Sequence, residues 1–299
     1  MSDLTATEQR IAGISLGYLE RCTSVGTTVF AEILTQPRPG SIAQASMGDK
    51  DLMEPFLTAG MYLHVALDHY LALRAMFVRH QVPAGAPVPE LRNLAPYTLV
   101  RGALEADAWA CWLLDPAPSA VERLGRAMTV RALNLREVRR LGLRFPDGER
   151  VDYRTRIARV TAVAQRHGLA EKWNIEGDLV WVGSPRPDAS ALLGEVLPDK
   201  SEDTNGEPLG WHTYSLLSAR AHGNPWAVLH NIQSAERFGD HASSAEVVID
   251  VMELMRLLRI SLRVHSEAIR RATVLDDRDP ADWERQRGPT AEARMPPVS

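Results

Sequence analysis

The sequence is poor in aromatic residues and cysteine and lacks long apolar runs, and each scarcity excludes a class of protein. Aromatic residues make up only 6% of the 299 residues, and Cys22 and Cys111 are the only cysteines. Two isolated cysteines without a CxxC pair provide neither a disulfide framework nor a zinc site, and we expect them to be buried. No apolar run approaches the ~18 residues of a membrane-spanning helix. The sequence therefore predicts a soluble, cytoplasmic protein without a membrane partner.

Lysine is also scarce, and the basic charge is carried by arginine in one region. The chain has three lysines among its 34 basic residues, and its formal net charge is -4. Residues 121–166 nevertheless contain 12 arginines and five acidic residues. Arg136, Arg140 and Arg144 share one face of a predicted helix there. Arginine forks match phosphate oxygens, so this face is a candidate for a nucleic-acid or protein partner, although arginine runs also occur on ordinary solvated helices.

Apolar residues recur every three or four positions along nearly the whole chain, which predicts an all-α helical bundle of six to eight helices. The last long helix shows a seam with alternating steps of four and three, typical of a packed face that serves either the core or a homodimer. The residues of this seam are Val251, Met255, Leu258, Leu262, His265 and Ile269.

Two segments depart from the helical pattern. Around residues 170–208 the β-prone run from Leu179 to Val182 lies between Gly177 and Gly183, which predicts a short irregular or β-like insertion. Beyond Leu275 the chain is rich in Asp, Arg and Pro. We therefore expect one domain over residues 1–275, with residues 276–299 as a disordered tail.

Several helices carry ionisable residues at positions where apolar ones are expected. Burying an unpaired charge costs several kcal/mol, so such residues require partners or an open cavity. Either they form ordinary pairs, or they meet in one polar, partly buried centre where the helices converge. The residues of that predicted centre are His64, Asp68, Arg101, Glu105, Arg131 and His222.

The segment from Ser218 to Pro225 is the most specific local feature. Ser218 and His222 are one helical turn apart, and Gly223 and Pro225 end the helix directly afterwards. A histidine there acts either as a general base or as a cap that interacts with the free carbonyls of the helix terminus.

Two stretches carry a resemblance. The run from Leu99 to Pro116, continued by Glu122, Arg123 and Arg126, and the run from Tyr214 to Gly223 together resemble uncharacterised actinobacterial all-helical proteins. More distantly, they are similar to the HEPN class. That class implies an all-helical fold, and its ribonucleases use an Arg followed by four to six residues and a His. Arg74 and His80 have this spacing but lack the usual polar residue after the Arg.

Several familiar chemistries are not indicated. A di-iron centre needs Glu-x-x-His motifs, phosphate loops need glycine-rich turns, and hydrolase elbows need Gly-x-Ser-x-Gly; the sequence contains none of them. We therefore predict no metal and no cofactor.

Two functional hypotheses remain. The first is a HEPN-like interaction protein of a stress or defence locus that binds nucleic acid or protein through Arg136, Arg140 and Arg144. The second is a small-molecule enzyme whose helices enclose a pocket, with His222 as base and Arg101 or Arg131 as anion holder. Its pocket would be lined by Trp109, Trp112, Trp211 and Trp226. The candidate catalytic residues are His222, Glu105 and His64, and the candidate ligand-binding residues are Asp68, Arg101, Trp109, Trp112, Arg131 and Ser218.

Overall fold

The computed structural model describes residues 6–78, 94–142, 152–200, 204–222, 224, 232–238, 242–247 and 250–288, which are mostly helical. In chain order the elements are α1 (Ala6–Thr35), α2 (Ile42–Met47), α3 (Glu54–Val78), α4 (Ala95–Leu113), α5 (Ala120–Leu141), α6 (Tyr153–Arg166), β1 (Glu171–Trp173), β2 (Leu179–Val182), α7 (Ala189–Val196), α8 (Leu209–Ala221), β3 (Ile232–Phe238), β4 (Ala242–Val247), α9 (Val251–Leu275) and α10 (Pro280–Arg287). The described residues thus form ten helices rather than six to eight, because the sequence analysis missed the short helices α2 and α10.

Helix α4 lies at the centre of the fold. It packs against α3, α7, α8 and α9, and 13 of its 19 residues are buried. Small residues allow close packing there. A methyl group added at Gly102 would lie only 2.7 Å from His69 Nε2, so the glycine makes room on α4 for the His69 imidazole of α3. Tyr62, seven residues before His69, lies beside Trp109, seven residues after Gly102, so the two helices run antiparallel.

The predicted seam of α9 is buried. Its six members, including His265, are at most 7% exposed and pack into the main apolar core. The seam therefore serves the core of this chain, and it is not available to a homodimer.

A second, smaller core joins α5, α6 and the first hairpin. Strands β1 and β2 pair antiparallel, which confirms the predicted β-like insertion. Thr129 on α5 fixes the hairpin, because its hydroxyl accepts a hydrogen bond from the Val182 amide and donates one to the Val182 carbonyl, both at 2.8 Å. Gly183 has a φ of 73°, and a methyl group added there would lie 3.1 Å from the Gly125 Cα. The antiparallel pair β3 and β4 was not predicted.

The predicted disorder after Leu275 was wrong for residues 276–288. Asp279 caps α10 and Pro280 begins it, a favourable N-terminal combination. Trp283 on this helix is 2% exposed and packs into the main core. Asp276 is fully buried and accepts hydrogen bonds from the Arg38 amide and the Arg278 guanidinium. One aromatic anchor and one satisfied carboxylate thus order a polar segment, while residues 289–299 lie outside the described part.

Ser119 followed three residues later by Glu122 is the sequence pattern that predicts a capping box, and the structure confirms one at the start of α5. The Ser119 hydroxyl accepts a hydrogen bond from the Glu122 amide, and the Glu122 carboxylate accepts one from the Ser119 amide. These bonds lower the pKa of Glu122 below its usual value.

Among the described helices, none is both long enough and apolar enough to cross a lipid bilayer.

Candidate functional site

The six residues of the predicted polar centre do not meet in one buried place. The side chains of His64 and Asp68 are 73% and 69% exposed, and they lie 4.0 Å apart on the outer face of α3. Arg131 is exposed and pairs with Glu54 of α3. His222 is exposed at the C-terminus of α8. Of the six, only Arg101 and Glu105 form a partly buried pair.

Arg101 and Glu105 form a three-residue cluster with Tyr214. Their spacing of one helical turn indicated the pair, but it did not indicate the contact with Tyr214. The Arg101 guanidinium lies 3.7 Å from the Glu105 carboxylate and donates to the Tyr214 hydroxyl at 3.1 Å. Its carbon lies 5.3 Å from the centre of the Tyr214 ring. The cluster connects α4 to α8 through an ion pair, a hydrogen bond and a cation–π contact, while Arg101 Nε is buried without a hydrogen-bond partner in the described residues.

The two tryptophans of α4 are covered by arginines. Trp109 and Trp112 are 2% and 6% exposed, with ring centres 5.8 Å apart in an edge-to-face arrangement. The Arg186 guanidinium lies 4.0 Å from the centre of the Trp109 ring, and that of Arg126 lies 5.3 Å from the Trp112 ring. These cations occupy the accessible ring faces, so the tryptophans are packed side chains and offer a ligand little contact area.

His222 lies at the C-terminal end of α8, away from the two tryptophans. Helices α4 and α8 run antiparallel, because Tyr214 contacts Arg101 whereas Arg220 stacks on Tyr97 one turn earlier in α4. Eight residues separate Tyr214 from His222, about 12 Å along the helix axis. The His222 amide donates to the Ser218 carbonyl at 3.0 Å, as expected for a helix terminus. This bond involves only the backbone, so the general-base and the cap interpretations of the imidazole both stay predictions.

The buried polar network lies elsewhere and was mostly missed from the sequence. The Asp107 carboxylate accepts hydrogen bonds from His265 Nδ1 at 2.9 Å and from the Tyr70 hydroxyl at 2.8 Å. Ser261 lies 2.8 Å from the Tyr70 oxygen, and it is the donor because the Tyr70 proton is directed to Asp107. All four side chains are at most 3% exposed. Burial, followed by the charge of Asp107, raises the pKa of Tyr70.

This network joins α3, α4 and α9 within the core. His265 Nε2 has no hydrogen-bond partner in the described part of the chain and faces α1, where a methyl group added at Gly26 would lie 3.0 Å away. Because packed side chains enclose the network, we assign it a role in stability. The interruption of the α9 seam by His265 was the one signal in the sequence; Asp107 gave none.

A second buried charge, Arg220, was also missed. It is 4% exposed, pairs with Glu253 of α9 and lies 4.5 Å from the centre of the Tyr97 ring. Its Nε and Nη1 atoms have no hydrogen-bond partner in the described residues. It joins the C-terminal half of α8 to α4 and α9.

One group of residues has the composition of a metal site. Ligand atoms of Asp49, Asp51 and His167 lie within 4.8 Å of one another. Burial alone would raise the pKa of Asp51, but hydrogen bonds from Arg166 and His167 outweigh burial and lower it. Because the Arg166 guanidinium already neutralises this carboxylate, the group is a complete ion-pair cluster.

The arginines of α5 and α6 lie on a helical hairpin whose inner faces pack in the smaller core. Helix α6 contains four arginines and no acidic residue. Arg154 and Arg159 are exposed, while Arg166 pairs with Asp51. On α5, Arg136 is half-buried. Arg136 and Arg159 form no ion pair within the described ranges.

The C-terminus of α5 lies beside the N-terminus of α6. The Arg139 guanidinium lies 5.0 Å from the centre of the Tyr153 ring, and both side chains hydrogen-bond the Asp178 carboxylate. Their exposed sequence neighbours Arg140 and Arg154 are therefore at the same end of the hairpin, although Arg140 also pairs with Glu137. The third member of the predicted α5 face, Arg144, lies outside the described residues, as do Trp226 and His80.

Comparison of the chain with protein-family models, curated proteins and solved structures found no significant match. The HEPN-like resemblance, with its stress or defence context, therefore stays a prediction.

Proposed function

We propose that the α5–α6 hairpin binds nucleic acid through its phosphate backbone. The observation that carries this proposal is the charge pattern of α6, whose charged side chains are all arginines. Ordinary solvated helices combine both signs of charge because pairs of opposite charge stabilise them. A helix with one sign presents a positive surface to a polyanion, and arginine forks fit phosphate oxygens.

The pattern favours binding without sequence preference. Sequence-specific recognition of single strands uses aromatic side chains on which bases stack, and Tyr153, the aromatic residue of α6, is covered by Arg139. The arginines can therefore contact phosphates but offer no platform for bases. We expect similar affinities for DNA and RNA of equal length and a strong dependence on salt concentration.

The enzyme hypothesis receives less support. It requires His222 to act near the tryptophans and Arg101, but His222 lies about 12 Å from Tyr214 along α8, on the side away from Trp109. Arg131, its other anion holder, is paired with Glu54.

The test is fluorescence anisotropy with labelled single-stranded DNA and RNA of about 20 nucleotides over a series of salt concentrations. The variant combines Arg154→Ala with Arg159→Ala, and the matched control combines Arg256→Ala with Arg285→Ala at exposed positions on α9 and α10. Losing two phosphate contacts should reduce the slope of log affinity against log salt by about 1.4 on single strands. The absence of binding at low salt, or an equal loss in the control, would overturn the proposal.

A further inference from the structure

The outer face of α3 is apolar although it is exposed. Eight residues of this helix are exposed, and six of them are apolar. Four of the nine large apolar side chains that are exposed in the described chain lie here, with exposures from 44% to 68%. The exposed residues of α3 are Leu57, Met61, His64, Val65, Asp68, Leu71, Ala72 and Ala75. Contiguous exposed apolar surface of this kind marks an interaction site.

Six of these residues have the spacing of a coiled-coil seam. Their steps along the helix are four, three, four, three and four, and the full stretch extends about 27 Å along the axis. We name them the α3 seam: Leu57, Met61, His64, Asp68, Leu71 and Ala75. A seam of this spacing packs against one further helix of matching pattern.

The α3 seam is symmetric about Ala66. Counting outward from that residue, His64 corresponds to Asp68, Met61 to Leu71, and Leu57 to Ala75. A second copy of α3 placed antiparallel across a two-fold axis at Ala66 would therefore oppose apolar residues to apolar residues. The same register would place each His64 opposite the partner's Asp68.

We propose that the α3 seam is a homodimer interface in which two copies of α3 pack antiparallel about this axis. A two-fold interface uses one patch on both subunits, so the patch must be complementary to itself. Only the antiparallel arrangement makes the α3 seam complementary to itself in shape and charge. A parallel arrangement would place His64 against His64 and Asp68 against Asp68.

Neighbouring charges do not oppose this arrangement. Glu54 at the start of α3 pairs with Arg131, and Arg74 near its end pairs with Glu20 of α1. The remaining histidine of α3, His69, is directed towards Gly102 of α4. Within the described chain, His64 and Asp68 therefore have only each other to interact with. A partner subunit would supply the other possible interaction.

The first experiment is sedimentation equilibrium of the full chain, whose subunit mass is 33.1 kDa. We expect a dimer of about 66 kDa that dissociates on dilution, because a single pair of helices forms an interface smaller than the standard size. Met61→Glu should raise the dimer dissociation constant at least about tenfold, since it places a charge opposite Leu71. Ile175→Glu, at a fully exposed position on the β1–β2 turn, is the matched control and should leave it unchanged.

The second experiment tests the register and does not depend on the stability of the glutamate variant. Met61→Cys and Leu71→Cys are purified separately, mixed and oxidised; the two native cysteines are buried. The antiparallel register predicts that the mixture forms a disulfide between different variants and that neither variant alone forms one efficiently. Efficient cross-linking of each variant alone, or a wild-type chain that stays monomeric at all concentrations, would overturn the proposal.

Discussion

Helices α3 and α9 have the same length and the same kind of seam, but they use it differently. Each has 25 residues, and each carries residues at alternating steps of four and three with a histidine among them. In α9 the seam is buried, and His265 binds Asp107 at 2.9 Å. In α3 the seam is exposed, and His64 lies 4.0 Å from Asp68. The spacing predicts a packed face, whereas the location of its partner, within the chain or on another molecule, is set by the tertiary structure.

The largest expected difference concerns the aspartate beside each seam histidine: Asp107 of α4 for His265, and Asp68 for His64. Asp107→Ala leaves His265 and Tyr70 buried without their acceptor and should lower the free energy of unfolding by about 4 kcal/mol. Asp68→Ala, the matched change on the exposed seam, should alter it by less than about 0.5 kcal/mol. Urea unfolding of both variants at a protein concentration low enough to exclude self-association measures the contrast. Equal losses would mean that the α3 seam is buried in solution.

Trp283→Ala should have the next largest effect, because this side chain anchors α10 in the core beside α9. We expect a loss of about 3 kcal/mol in the free energy of unfolding, as for other buried aromatic residues. Trp173→Ala, at a side chain that is 43% exposed, is the control. A negligible effect of Trp283→Ala in urea unfolding would restore the prediction that the segment after Leu275 is a tail.

Glu267 gives the stability that α9 contributes a dependence on pH. Burial alone would raise the pKa of Glu267, but hydrogen bonds from Arg270 and Arg271 outweigh burial and lower it below 4.5. A carboxyl whose pKa is lower in the folded state stabilises the fold above its unfolded pKa, and that contribution disappears as the pH falls through the folded value.

Glu267→Gln should therefore cost about 1.5 kcal/mol at pH 7, the contribution of hydrogen bonds to a charged group. The difference from the wild type should vanish at acidic pH, well below 4.5. Urea unfolding from pH 7 down to pH 3 measures this convergence; a difference that stays constant with pH would show that the charge of Glu267 contributes nothing.

The smallest effect is expected when residues of the α3 seam are substituted and the stability of the monomer is measured. Leu57→Lys and Leu71→Lys should each change the free energy of unfolding by less than about 0.5 kcal/mol at concentrations below the dimer dissociation constant, since both side chains are about half exposed. Thermal unfolding at low concentration checks this. A loss of several kcal/mol would place another part of this chain on the seam and contradict the homodimer.

The sequence predicted the helical class, the α5 capping box and the α9 seam because these follow from local spacing and local hydrogen bonds. It did not identify which ionisable residue of α4 is buried. Glu105 and Asp107 are two residues apart, about 200° around the helix, so they lie on nearly opposite faces. Only packing against α3 and α9 determines that Asp107 faces the core while Glu105 faces Tyr214.

The β3–β4 pair and α10 show a second reason for missed structure. The strands consist mainly of Ser, Ala, Glu and Arg, and the β-branched and aromatic residues typical of strands occur only at their ends, as Ile232, Phe238 and Val247. Apart from Pro280, Ala281 and Trp283, helix α10 consists of polar residues. In β3 and β4, strand pairing outweighs a weak local preference for strand structure. In α10, one anchored side chain outweighs a weak local preference for helix.

The close contact between Gly102 and His69 has a consequence for recognition. Because the His69 imidazole packs directly against Gly102, where a larger residue would clash with it, α3 has little freedom to tilt or slide on α4. Its outward residues are consequently presented in a fixed arrangement before any encounter. A surface held in this way loses little conformational entropy on association, so even a narrow strip of contacts can yield measurable affinity.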